Sequence, residues 1–125
     1  MPEVFSIQYR GDHIHVHIGK DAEVDEDWQK EYWGQLQAAC REHDTHRVLV
    51  EGFSPKGERT TTDVVEAGQR TAAVPKLWMA YCLTGWVPTE QSELYETIAA
   101  SQGVRVKFFT DREQALSWLR SNAPK

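Results

Sequence analysis

Two alternating stretches, VFSIQY at 4–9 and HIHVHI at 13–18, constrain this chain more than any other feature. Gly11-Asp12 between them is a two-residue hairpin signal. With those two residues as the turn, Arg10 sits opposite His13, Gln8 opposite His15 and Ser6 opposite His17. Tyr9, Ile7 and Phe5 then oppose Ile14, Val16 and Ile18. One register sends every polar residue of both strands to one face and every apolar residue to the other, and a slip by one residue would mix them. The chain is therefore expected to open on an antiparallel hairpin with one face committed to a core.

Beyond the hairpin, helical and extended patterns alternate. Asp25 is a cap candidate for a first helix, in which Trp28, Tyr32, Leu36, Ala39, Cys40 and His43 recur at helical spacing. RVLVEG at 47–52 reads as a strand and FSPKGER at 53–59 as a loop. Thr60 to Asp63 can cap a second helix that must end before Val74-Pro75, because proline disfavours helix in the residue before it. LWMAYCLTGW at 77–86 is apolar throughout and reads as a strand covered on both faces. Thr89 caps a third helix, carrying Leu94 and Ile98, that stops at Gly103. VRVKFF at 104–109 is the last strand, and Thr110 with Glu113 forms a capping box for a final helix carrying Ala115, Leu116 and Leu119. Residues 121–125 read as a frayed tail.

An opening hairpin and then a succession of βαβ units give an α/β sandwich with a mostly parallel five-stranded sheet and four helices. If the strands lie in chain order, right-handed crossovers put the helices mainly on one face and leave the other open or partly covered. A length of 125 residues fits one domain, 1–125, around one core. The formal charge of −5 argues against nucleic acid, whose phosphates call for a basic surface. No apolar run approaches the roughly 20 residues of a membrane span. The N-terminus lacks the pattern of a signal peptide, so the expected location is the cytoplasm. Cys40 and Cys82 have neither CxxC spacing nor a disulfide framework and read as buried free thiols.

HRVLVEG at 46–52, the opening hairpin and above all VKFFTDREQALSWL at 106–119 resemble the STAS domain and the SpoIIAA-like family of small bacterial proteins. That family has a distant likeness to the CRAL-TRIO lipid-binding domain. The resemblance covers nearly the whole chain and implies the SpoIIAA-like sandwich. It also implies a non-enzymatic regulatory or protein-interaction role. In the sporulation anti-sigma-factor antagonists of this fold, a phosphorylatable serine follows the third strand. The matching loop here, GFSPKGERTTTD, is longer and lacks that aspartate-serine-serine type motif, so the switch does not transfer directly. An alternative function is a carrier or sensor of a small apolar or amphipathic ligand, as the CRAL-TRIO likeness implies.

His13, His15 and His17 pose the sharpest chemical question. On a strand, alternate side chains lie roughly 6.6–6.8 Å apart on one face, so a metal could take two of them and needs ligands from a neighbouring strand. Arg10, Gln8 and Ser6 are poor partners, which leaves only Glu51 on the far side. The histidines are therefore read as a polar open face whose imidazoles gain charge near neutral pH, with no metal and no cofactor. No catalytic motif emerges either: there is no GxGxxG and no phosphate loop.

Ligands and partners of open α/β sheets meet the loops beyond the carboxyl ends of the parallel strands. There Ser54, Lys56, Arg59, Thr60, Thr61 and Thr62 stand ahead of a helix N-terminus, which favours an anion. With Trp86 they form the expected surface for a protein partner or anionic ligand. Ser54, Thr60, Thr61 and Thr62 are the candidate phosphate acceptors. Apolar side chains on both faces of 77–86, with helices on only one, further predict a homodimer.

Overall fold

The structure, a computed structural model, describes residues 5–19, 26–53, 61–74, 76–84 and 90–122. Strands β1 (Phe5–Tyr9) and β2 (Ile14–Ile18) form the hairpin. Its register is the expected one, from Phe5↔Ile18 through Gln8↔His15 to Tyr9↔Ile14. Gly11 takes φ 87°, a left-handed conformation that suits glycine in a tight turn.

Helix α1 (Glu26–Glu42) leads to β3 (Arg47–Phe53), and α2 (Thr61–Arg70) continues into a single 3-10 turn at Thr71–Ala73. Then come β4 (Trp78–Thr84), α3 (Glu90–Ser101), β5 (Arg105–Phe108) and α4 (Arg112–Asn122). The sheet runs β1-β2-β3-β4-β5, antiparallel within the hairpin and parallel from β2 onward. The expected caps Asp25, Thr60 and Thr89 lie outside the described residues. Among those residues no helix is long and apolar enough to cross a membrane.

Two cores flank the sheet. On one face Ile14, Val16, Val48, Val50, Met79 and Val106 pack beneath Tyr32, Trp33 and Leu36 of α1 and Ala99 of α3. On the other, Leu49 and Ala80 pack beneath Ala115 and Leu119 of α4, bordered by Trp78 and Trp118 with ring centroids 4.9 Å apart. The second face, expected to be open or covered only in part, is covered in part: among the described residues α4 packs over Leu49 and Ala80. The handedness rule acts on a helix that joins two parallel strands. No further strand comes after α4 among the described residues, so the rule does not hold this helix to the α1 and α3 side, and the apolar strip of β3 and β4 draws it across. The face whose exposure predicted a homodimer is thereby covered over Leu49 and Ala80. Trp33 and Trp78, which cannot share one apolar side, belong to the two different cores.

The cap of α4 is also corrected. Asp111, not Thr110, precedes the helix: its Oδ1 accepts the Glu113 N–H at 3.0 Å, and its carbonyl accepts the Ala115 N–H at 3.1 Å. A carboxylate at this position both satisfies an orphan donor and meets the positive end of the helix dipole.

Candidate functional site

The face under α4 carries a polar row. Because strand side chains alternate, His15 and His17 of β2, Arg47, Leu49 and Glu51 of β3, and Trp78, Ala80 and Cys82 of β4 all point toward it. Ser6, His17, Glu51 and Cys82 lie side by side across four strands. Toward the carboxyl ends of the parallel strands this row meets the first turn of α4.

There His15 Nε2–H donates to Glu51 Oε1 at 2.8 Å, and Arg112 Nε reaches the same oxygen at 3.2 Å. Burial lowers the pKa of His15 below 6.5, reinforced by Arg10 and Arg112, and the Glu51 contact recovers only part of the shift. At the opposite end of β2, His13 Nδ1–H donates to Asp12 Oδ1 at 2.6 Å and Arg120 Nε to Asp12 Oδ2 at 2.7 Å. Burial raises the Asp12 carboxyl, but these two partners outweigh it and hold the group below 3.8. Arg47, itself buried, donates to the carbonyl of Arg120 at 3.3 Å. Arg112 and Arg120 therefore fasten both ends of α4 to the strands below.

The reading of the histidines as an open, charging face is corrected for two of the three. His13 and His15 are 5% and 6% exposed, and each is bonded to a carboxylate, Asp12 or Glu51, that an arginine of α4 also engages; His17 alone is exposed. Among the described residues no three His, Cys, Asp or Glu side chains are grouped to hold a metal ion. The thiols are both free; Cys40 is buried and Cys82 half-buried. Burial pushes Cys40 up to about 11. Burial raises Cys82 too, and the neighbouring Glu51 and Asp111 carboxylates add to it, so its surroundings are not only apolar. Neither is a ready thiolate.

Of the expected partner-surface residues, Ser54, Lys56, Arg59, Thr60 and Trp86 lie outside the described residues. Thr61 and Thr62 open α2 with their side chains exposed. Glu51 was legible as a neighbour of the histidines from strand alternation alone. Arg112 was not, because nothing local in the sequence says which face α4 covers. No protein-family model, no curated protein and no solved structure matches the chain.

Proposed function

We propose that this chain is a non-enzymatic, cytoplasmic regulatory or interaction domain of the STAS type, with its partner surface at the carboxyl edge of the parallel strands. The observation that carries the reading is the five-stranded sheet: β1 antiparallel to β2, then β2 to β5 parallel in chain order. That is the arrangement the STAS and SpoIIAA-like resemblance implies. The polar cluster supports binding rather than turnover. A general base needs a pKa near working pH and an accessible lone pair. Burial lowers the pKa of His15 and leaves the side chain 6% exposed, so the lone pair left on Nδ1 when Nε2–H donates to Glu51 is poorly accessible.

The partner surface comprises Ser54, Lys56, Arg59, Thr60, Thr61, Thr62 and Trp86. Ser54 and the three threonines are the candidate phosphate acceptors. The exposed side chains of Thr61 and Thr62 suit this role, since a phosphate there would sit at the positive end of the α2 dipole.

The carrier reading rests on the CRAL-TRIO likeness and the apolar strand at 77–86, and it needs apolar space between sheet and helices, where a cluster of aromatic residues sits. Tyr81 stacks on Phe108 at 4.8 Å, and its hydroxyl lies 2.7 Å from that of Tyr95. Phe5 and Trp28 meet at 5.2 Å nearby. At such separations the rings pack against one another and occupy the space that an apolar ligand would need, which ranks the carrier second. Native mass spectrometry of the purified chain tests the choice. A protein free of small-molecule adducts is expected, and a stoichiometric co-purifying lipid would overturn the interaction reading in favour of the carrier.

A further inference from the structure

We infer that the outer edge of β1 docks the β1 strand of a second copy of this chain, antiparallel, across a two-fold axis at Ile7. This deepens the interaction reading above and rests on it. The hairpin sets the phase of the edge. Arg10 N–H donates to the His13 carbonyl at 2.9 Å, so Arg10 and His13 are a hydrogen-bonded pair. Antiparallel pairs alternate between bonded and non-bonded. Gln8–His15 and Ser6–His17 are therefore bonded pairs, whereas Tyr9–Ile14, Ile7–Val16 and Phe5–Ile18 are not. The backbone N–H and C=O groups of Phe5, Ile7 and Tyr9 consequently point away from β2. Among the described residues no other strand pairs with β1.

A second copy supplies the matching groups. With the axis at Ile7, that residue meets its own counterpart, and Phe5 meets Tyr9 of the second copy. Each such pair exchanges two backbone hydrogen bonds, so all three outward residues are satisfied on both copies. Ser6 faces Gln8 on the α4 side, and an aromatic rung of Phe5 and Tyr9 closes each end on the other. No like charges meet.

The two edges of the sheet differ in protection. β5 carries the exposed cations Arg105 and Lys107 on a strand of only four residues, the usual guard against edge pairing. β1 runs FSIQY, with no lysine, acid or proline. Tyr9 is 42% exposed, one of two large apolar side chains so exposed among the described residues. Its ring is held in place by stacking on His43 at 4.1 Å and by its hydroxyl, which donates to the Gly11 carbonyl at 2.6 Å. An aromatic fixed before contact loses little freedom on docking.

Sedimentation velocity of the purified chain across micromolar concentrations, paired with two variants, tests the inference. Tyr9→Pro removes an outward N–H and leaves the β1–β2 ladder intact, so it should raise the dimer dissociation constant by about tenfold or more. Ser6→Cys combined with Gln8→Cys places thiols opposite each other at the two non-bonded pairs flanking the axis, at a Cα separation of about 4.5 Å, and mild oxidation should give a covalent dimer that the wild type does not form. A monomeric wild type overturns the inference, as does a dimer that this double variant fails to trap. If circular dichroism shows Tyr9→Pro unfolded, the trapping result decides. A monomer without adducts would leave the interaction reading standing, whereas a bound lipid would remove that reading, so the two failures are distinguishable.

Discussion

An imidazole beside a carboxylate ordinarily binds its proton more tightly, yet at His15 burial outweighs the contact with Glu51, and Arg10 and Arg112 push the same way. The folded value lies below 6.5, so the folded chain binds fewer protons than the unfolded one through that window. The stability from neutral His15 is complete above 6.5 and is lost as pH falls through the folded value. His15→Gln keeps an N–H for Glu51 and cannot titrate. Its unfolding free energy from urea titrations should therefore fall less between about pH 6.5 and 5 than that of the wild type, and an unchanged slope would refute the assignment. Asp12 acts lower, removing stability as pH drops below 3.8. A second residue is constrained by shape. Gly52 has φ 114°, and a Cβ there would lie 2.7 Å from the Ile18 nitrogen and 2.9 Å from its carbonyl carbon. Gly52→Ala combines left-handed strain with a backbone clash between β3 and β2. It should cost more than about 2 kcal/mol by urea denaturation.

Helix ends divide what the sequence tells from what it hides. Helix α3 ends in a Schellman motif: Val104 N–H bonds the Ala99 carbonyl at 3.0 Å, Gly103 N–H bonds Ala100 at 3.0 Å, and Gly103 takes φ 80°. The glycine made that stop legible. Helix α1 ends in the same way, with Thr45 N–H on Cys40 at 3.0 Å and Asp44 N–H on Arg41 at 3.4 Å, but the left-handed residue is Asp44 at φ 49°. No glycine marks it, and His43, expected within the helix, instead lies just past its last residue. Asp44 also sets an exposed negative charge near the negative end of the helix dipole. Asp44→Gly should therefore stabilise the chain by roughly 0.5–1 kcal/mol, read as a higher urea midpoint. A lower midpoint would show that the Asp44 side chain contributes more than its backbone costs. The α4 cap was ambiguous for a related reason: Thr110 and Asp111 are both good cap residues, and only the backbone hydrogen bonds separate them.

At the scale of the molecule, the hairpin register follows from alternation and the parallel direction of β2 to β5 from their helical crossovers, and the sequence carries both, whereas the chain order of the strands was a premise that the structure supplies. The position of α4 does not follow, because handedness governs only connections between strands. The pairing of Glu51 with Arg112 and of Asp12 with Arg120, the carboxylates that His15 and His13 also bind, depends on that one unconstrained choice. Leu119, 1% exposed against Leu49 and Ala80, anchors the helix. Leu119→Ala should cost about 2–5 kcal/mol, and loss of the Trp78–Trp118 contact in the same transition would appear as a coincident change in tryptophan fluorescence. A much smaller loss would mean that the arginine fastenings hold α4 without it. The tie between Arg120 and Asp12 joins residues 108 positions apart, and this has a consequence for biosynthesis. As the chain leaves the ribosome, β1 to β5 can each lie down beside their predecessor, but the Leu49–Ala80 strip stays wet until α4 emerges. The nascent sheet therefore shows a sticky, half-finished back to chaperones until that helix arrives, and a premature stop before Arg112 would yield a species prone to aggregate.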